Sequence, residues 1–324
     1  MYNQAHLKEL VDKALANYSY NCEAERLIDP IKYILSQGGK RLRPVLALMA
    51  CNLFTDKIDP AVIPASGIEV FHNFTLVHDD IMDQADLRRS LPTVHRKWNT
   101  NQAILSGDVM AFVANEFLLH TPPQHLLKVL RVFNKTAIEV CVGQQLDMDF
   151  EKTAFVRQEE YMRMIELKTA VLISAAMKIG AIIGAADDKD SDLLYEFGKN
   201  LGLAFQIQDD LLDVWGDVKV FGKKSGNDIV SNKKSFPLVR AMETGSKAQI
   251  KILQSLLTDK EIDPSEKISK TIEILDQLNI RDNTEILAYD YINKAFGYLS
   301  KVNIDETRKK EMTNLAISLI GRKQ

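Results

Sequence analysis

Apolar residues recur along this 324-residue chain at three- and four-residue spacings almost throughout. That is the periodicity of amphipathic helices, and no alternating strand pattern of useful length interrupts it. The spacing predicts helices at about 4–17, 23–37, 44–54, 61–83, 98–120, 124–150, 155–184, 190–215, 235–243, 247–257, 264–278, 283–299 and 305–320. Pro44, Pro60 and Pro237 stand near predicted starts, where a helix tolerates proline. Gly38-Gly39 and Gly216 follow predicted ends, which glycine closes readily. Helix 61–83 would be roughly 34 Å long at 1.5 Å per residue. Its second half (Ile68, Val70, Phe71, Phe74, Leu76, Val77) is apolar on several faces, as a central buried helix should be. No Pro/Gly/Ser-rich linker and no repeat divides the chain, so residues 1–324 read as one all-α domain.

Composition narrows the partners. Hydrophobic residues make up 46% and charged residues 26%, an ordinary soluble globular balance. The formal charge of −3 gives no global field toward nucleic acid or an anionic membrane. Three cysteines (Cys22, Cys51, Cys141) have no metal or redox spacing and fit a reducing cytosol. Met1-Tyr2-Asn3-Gln4 lacks the basic-then-apolar start of a signal peptide, so a cytoplasmic protein is expected. The most apolar stretch, Ala170 to Ala186, is broken by Lys178 and falls short of the ~20 residues that span a bilayer. It reads as a buried helix, with no membrane span.

Two aspartate clusters carry the chemistry: Asp79-Asp80-Ile81-Met82-Asp83 and Asp209-Asp210-Leu211-Leu212-Asp213, each D-D-x-x-D after an apolar helical stretch. The first and last aspartates, four apart, share a helix face, while the middle one sits about 100° round. Like charges one turn apart destabilise an isolated helix by a few tenths of a kcal/mol. One such motif could be a solvated acidic helix end. The same spacing twice points to a shared ligand, and all-oxygen clusters suit Mg²⁺ held by one or two carboxylates plus substrate phosphate oxygens.

Cations gather in a few places. Gly38-Gly39-Lys40-Arg41-Leu42-Arg43-Pro44 sets three cations before a helix start, a plausible phosphate seat. Arg88-Arg89 follows Asp83 by five residues, and arginine suits bidentate phosphate recognition; alone, such a pair is ordinarily a solvent contact. Lys168 precedes the apolar run from Thr169 to Met177, where a charge must snorkel or find a partner. His72 on its apolar helix would by itself more often be a core histidine than a ligand. His78, beside Asp79, is expected to support the carboxylates from behind. Asp217 to Lys234 carries Lys219, Lys223, Lys224, Lys233 and Lys234 with Gly222 and Gly226, which fits either a solvated loop or a closing lid.

Together these residues resemble the trans-isoprenyl diphosphate synthases, the polyprenyl synthase family that includes farnesyl and geranylgeranyl diphosphate synthases. The matching segments run in family order over nearly the whole chain: Gly39 to Pro44; Leu76 to Asp83 with Leu87-Arg88-Arg89 and Pro92 to His95; Gly107-Asp108; Gly143 to Asp147; Lys168-Thr169; Phe205 to Asp213; and Gly222-Lys223-Lys224 through Lys233. The resemblance implies an antiparallel helical bundle around a deep central cavity, as a homodimer. It implies Mg²⁺, three per active site, bound by Asp79, Asp83 and Asp209 with Asp80, Asp210 and Asp213 in support. Arg88, Lys168, Lys223 and Lys233 match contacts to an allylic diphosphate, and Lys40, Arg43, His72 and Arg89 match an isopentenyl diphosphate site. Thr169 and Gln206 match residues near the developing cation. Some bacterial farnesyl synthases carry four residues where the first motif here has two, which leaves the subgroup open. Gly321-Arg322-Lys323-Gln324 matches the family's basic tail only loosely.

The implied reaction ionises the allylic C–O bond, condenses the cation with isopentenyl diphosphate and eliminates a proton to give a trans-prenyl diphosphate. Charge stabilisation comes from metal and basic residues, and orientation of the second substrate does much of the rest. Phe74 and Thr75, five and four residues before Asp79, match the positions that set the pocket floor, and a bulky Phe74 argues for a C15 to C20 product. Three other readings compete: a class I terpene cyclase, a phosphohydrolase using His78-Asp79, and an inactive partner subunit of a heteromeric longer-chain synthase. The second aspartate motif and the Lys40, Arg43, His72 set argue against the cyclase. The phosphohydrolase leaves Asp209 idle, and the partner subunit would be expected to have lost motif charges.

Overall fold

Helices form almost wherever the periodicity places them. The computed structural model describes residues 1–20, 23–216, 226–259 and 261–321. In chain order the elements are α1 (Gln4–Ala16), α2 (Glu25–Ser36), α3 (Leu42–Phe54), α4 (Asp59–Met82), β1 (Leu87–Arg88), β2 (Leu91–Pro92), α5 (Val94–Lys97), α6 (Thr100–Leu119), α7 (Pro123–Glu151), α8 (Gln158–Ile165), a π-helical turn (Glu166–Ala170), α9 (Val171–Ile183), α10 (Asp188–Trp215), α11 (Asn227–Val230), α12 (Phe236–Thr244), α13 (Lys247–Thr258), α14 (Pro264–Gln277), α15 (Ile280–Leu299) and α16 (Glu306–Ile320). Every predicted helix is present. The expectations at Lys219, Gly222, Lys223, Lys224, Cys22 and the tail Arg322-Lys323-Gln324 lie outside the described residues.

Chain contacts gather into two units, neither continuous in sequence. The first comprises Met1–Asn134, Ala175–Tyr195 and Val302–Met312. Its α4 packs on α3 and α6, and Ile68, Val70, Phe71 and Val77 are buried. Gly67 permits the close approach to α6: a Cβ there would lie 2.7 Å from Phe117 Cβ and 2.8 Å from the Ala114 carbonyl. Phe71 meets Phe133 edge-on, ring centres 5.1 Å apart. After α4 comes a hairpin that the periodicity does not predict, pairing Leu87 with Pro92 and Arg88 with Leu91. Arg89 and Ser90 make its turn with φ of 52° and 64°, the left-handed pair that a two-residue hairpin requires.

The second unit comprises Lys135–Ser174, Glu196–Lys301 and Thr313–Gln324. One core cluster joins Tyr161, Met164, Ile165, Ala170, Leu203, Ile207 and Phe236. A second joins Val214, Ile229, Leu238, Leu253, Ile274, Leu275 and Ile280. Helix ends are closed locally: Ser246 and Gln249 form a reciprocal capping box, and the Asp263 carboxylate accepts from the Ser265 and Glu266 N–H groups ahead of α14. The single predicted helix 155–184 is interrupted by the π-helical turn that carries Lys168 and Thr169. Such turns commonly mark functional positions. Gly143 makes this one possible, because a Cβ there would fall on the Lys168 backbone.

One described helix, Thr100–Leu119, is long and apolar enough to cross a bilayer by length and composition. The apolar run from Val171 to Ile183 is buried, as expected.

Candidate active site

Both aspartate motifs sit at helix C-termini. Asp83 caps α4, its N–H bonded to the Asp79 carbonyl at 2.8 Å. Asp209 to Asp213 lie in the last two turns of α10. A helix C-terminus already carries partial negative charge, so carboxylates there are disfavoured by about 0.3–1 kcal/mol each. Two helices accepting the same penalty fit recruitment of cations.

The middle aspartates behave differently from the outer ones. Asp80 is 1% exposed. It is gripped from β1 by Arg88, whose Nε lies 2.9 and 2.8 Å from its two oxygens and Nη2 2.7 Å from Oδ1. Asp210 is buried too: its Oδ2 accepts from the Tyr161 hydroxyl and, at 2.8 Å, from the Phe236 N–H. Gln206 Nε2 donates to Asp210 Oδ1 at 3.0 Å. Burial pushes the Asp210 carboxyl up to about 7 despite these donors, which pull it down. Asp79 and Asp209 are half-buried and Asp83 is exposed. The 100° offset of the middle aspartate thus becomes a difference in burial within each motif: the middle carboxylates are buried and held by donors from other elements, while the outer ones are half-buried or exposed.

The first unit also assembles basic residues. Gly38 and Gly39 have φ of 70° and 125°, and the Arg89 guanidinium donates to the Gly38 carbonyl. A Cβ on Gly39 would lie 3.0 Å from both terminal nitrogens of Arg89, so the glycine pair lets Arg89 close on the loop. Arg43 Nη1 lies 3.0 Å from His72 Nε2. Burial, then the Arg43 charge, hold the His72 imidazole well below its ordinary range, so it meets Arg43 as a neutral acceptor. Arg41, one of the three loop cations, turns inward instead. It is 4% exposed, with Nε on Asp12 Oδ1 and Nη1 on Glu69 Oε1, both at 3.0 Å, and Nη2 on the Leu35 carbonyl at 2.5 Å. Lys40 is exposed.

His78 does not back the carboxylates as expected. Its ring lies edge-on to Phe74, centres 4.8 Å apart, and Nε2 reaches the Ile104 carbonyl at 3.2 Å. It fills the space that a side chain on Gly107 would need. Phe74 is half-buried and lies 5.3 Å from the Phe71 ring; Thr75 donates to the His72 carbonyl at 2.8 Å.

In the second unit, Lys168 finds the partner its apolar surroundings demand: Nζ donates to Asp147 Oδ2 at 2.5 Å. Thr169 Oγ1 donates to Gln206 Oε1 at 3.0 Å. Asp147, Tyr161, Lys168, Thr169, Gln206, Asp210, Asp228 and Lys233 line one small cavity of about 40 Å³. Asp213 Oδ2 accepts from the Asp228 N–H at 3.0 Å, which ties the chain after residue 225 to the motif. Lys223 lies outside the described residues. Sequence reasoning missed the partners Glu69 and Tyr161; Asp147 and Asp228 fall inside the quoted segments Gly143 to Asp147 and Gly222 through Lys233 but were not singled out.

Among the described residues no three His, Cys, Asp or Glu side chains form a metal cage by themselves. The donor set fits Mg²⁺ nevertheless, because hard carboxylate oxygens, few per ion, are what it takes when phosphate oxygens complete the shell.

The polyprenyl synthetase family model matches residues 24–275. Geranylgeranyl diphosphate synthase of Methanosarcina mazei is 40% identical over 242 residues, 74% of this chain and 75% of that protein. Geranylfarnesyl diphosphate synthase of Natronomonas pharaonis is 35% identical over 94% of this chain and 93% of its own. A crystal structure of a geranylgeranyl pyrophosphate synthase superposes with a TM-score of 0.94 at 39% identity, covering 100% of both chains. With the family model matching residues 24–275 and a solved relative covering the whole chain, the chain belongs to the polyprenyl synthetase family and is an all-α trans-prenyl diphosphate synthase.

Proposed function

We propose that the protein condenses isopentenyl diphosphate with an allylic diphosphate to give a C15 to C20 trans-prenyl diphosphate, as a single domain over residues 1–324. The observation that carries the residue roles is the split within each aspartate motif. Asp79, Asp83 and Asp209 are the Mg²⁺ ligands, for three ions per site; the buried Asp80 and Asp210 support them from the scaffold, and Asp213, an outer carboxylate, supports them while its Oδ2 is held by the Asp228 N–H. Bound Mg²⁺ supplies neutralisation of the leaving diphosphate and so assists ionisation.

The chain's own residues do the rest. Lys168, fixed by Asp147 on the π-helical turn, presents an ammonium to the allylic diphosphate, with Lys233, Lys223 and Arg88 as further contacts. Thr169 and Gln206, bonded to each other, offer oxygens to the developing cation. Lys40, Arg43, His72 and Arg89 seat isopentenyl diphosphate. The neutral His72 leaves the Arg43 charge intact for a phosphate. No side chain is assigned as the base that removes the final proton; the departing diphosphate takes it.

Product length rests on Phe74. It projects from α4 about 7.5 Å before Asp79 along a 1.5 Å-per-residue helix, half-buried, tilted against Phe71 and edge-on to His78. Purified protein given Mg²⁺, isopentenyl diphosphate and each allylic primer should yield C15 to C20 products, and Phe74→Ala should yield longer ones. A wild-type product of C30 or more, or an unchanged distribution in a folded, active Phe74→Ala enzyme, would refute this ruler.

The homodimer reading rests on α6. Leu105, Phe112 and Leu119 repeat every seven residues on one face and are 58%, 74% and 50% exposed. An apolar stripe of this kind marks an interaction surface, and a second copy would cover it with its own equivalent. Light scattering should report a dimer for the wild type and a monomer for Phe112→Glu; a wild-type monomer at micromolar concentration would end this reading. The sparse cysteines fit a cytoplasmic location.

A further inference from the structure

Lys267 belongs to no motif and lies on α14, yet its side chain is directed at the segment that delivers Lys233. It is 5% exposed. Its Nζ donates to the Val230 carbonyl at 3.2 Å and to Asn232 Oδ1 at 2.6 Å. Those two acceptors sit on the turn between α11 and Lys233. Asn232 holds φ of 60° there, the left-handed region that favours glycine.

The same segment is tied at its start to the second aspartate motif. The Gly226 N–H donates to the Asp213 carbonyl at 2.6 Å and the Asp228 N–H to Asp213 Oδ2 at 3.0 Å. Lys233 N–H in turn donates to the Asp228 carbonyl at 2.9 Å. Ile268, next to Lys267, packs on Gly226, where a Cβ would lie 2.8 Å from Ile268 Cγ1. Residues 226–233 are therefore fixed at their start by Asp213 and Ile268 and at 230–232 by Lys267.

A buried ammonium whose hydrogen bonds go to a carbonyl and an amide is a poor way to gain stability, since desolvation costs several kcal/mol. It is a good way to fix two acceptors in one geometry. We propose that Lys267 is a positioning residue for Lys233: it locks the turn at 230–232 so that Lys233 enters the cavity lined by Lys168, Thr169 and Gln206 in a single conformation. The inference rests on the reading that Lys233 contacts the allylic diphosphate.

Steady-state kinetics of the full chain test it, with Lys233→Ala and Arg43→Ala as references. Lys267→Met should raise KM for the allylic diphosphate about tenfold, the effect of one charge-assisted bond at roughly 1.4 kcal/mol per decade, and leave KM for isopentenyl diphosphate unchanged. Lys267→Arg should recover part of the loss. Asn232→Gly, which keeps the left-handed backbone and removes one acceptor, should shift the same constant by less. In a Lys233→Ala background, Lys267→Met should add nothing further. A purely structural Lys267 would lower the melting temperature with both KM values unmoved, and that result overturns the proposal. Should Lys267→Met fail to fold, an unchanged allylic KM in Asn232→Gly overturns it equally. If Lys233→Ala itself leaves the allylic KM unchanged, the assignment of Lys233 falls and this inference with it; Arg43→Ala shows separately whether the isopentenyl diphosphate seat stands.

Discussion

Asp79→Ala or Asp209→Ala is expected to lower turnover on the order of a hundredfold to a thousandfold, the scale of losing one preorganised charge-stabilising group, while the fold keeps its stability. The second half of that expectation is the discriminating one. Both carboxylates stand near a helix C-terminus and are half-buried. The Asp79 charge, in the last turn of α4, opposes the helix dipole by about 0.3–1 kcal/mol, and that of Asp209, further from the end of α10, by less, so removing either should leave the melting temperature equal or slightly higher. Asp80→Ala and Asp210→Ala should behave in the opposite sense. Asp210→Ala would strand the buried donors of Tyr161 and Phe236 at about 1–3 kcal/mol per unsatisfied group, and Asp80→Ala would release the half-buried Arg88 guanidinium, at a smaller cost. Thermal melts beside single-turnover rates for the four variants separate the two classes. Chelator should abolish wild-type turnover. Full activity in chelator, or in Asp79→Ala, would sink the metal assignment.

The helices were legible because burial here recurs at helical spacing, as at Leu7, Val11 and Leu15 on α1. The hairpin was not: its strands are two residues each, and its turn is Arg89-Ser90 with none of the Asn-Gly or Asp-Gly signals that mark such turns. The π-helical turn at Glu166–Ala170 was hidden for a different reason. One extra residue in a helical turn leaves the apolar pattern on either side intact, and the turn's backbone packs against Gly143, 25 residues before Lys168 in sequence. The spacing of the aspartate motifs pointed to a cation site. Spacing did not say which aspartates are buried, because that depends on partners brought from elsewhere: Arg88 from β1 for Asp80, Tyr161 from α8 for Asp210. The same limit applies to the Gly38–Pro44 loop, where three neighbouring cations look alike in sequence and the fold gives them three different surroundings.

Arg41 is the cation on which that difference can be measured. As a phosphate ligand it would be replaceable at the expense of binding alone. The structure instead buries its guanidinium against Glu69, itself 3% exposed, with Asp12 and the Leu35 carbonyl completing the contacts. Its backbone sits at φ of 48°, a left-handed conformation that costs of order 1–3 kcal/mol at a non-glycine residue unless the surroundings hold it. Arg41→Met removes the holding contacts and leaves the buried Glu69 carboxylate without its ion pair, with the Asn73 amide still donating to it at 3.2 Å. Breaking a buried pair from one side typically costs about 3–5 kcal/mol, and the urea midpoint should fall accordingly. Glu69→Leu in the same chain removes the stranded charge as well, so the double variant should recover a substantial part of the loss. The loop it anchors carries Lys40 and Arg43, so KM for isopentenyl diphosphate should rise in Arg41→Met and stay raised in the double variant, where stability returns but the loop's tether does not. A loss below about 1 kcal/mol in Arg41→Met, with the KM increase intact, would return Arg41 to the surface and make it a phosphate contact after all.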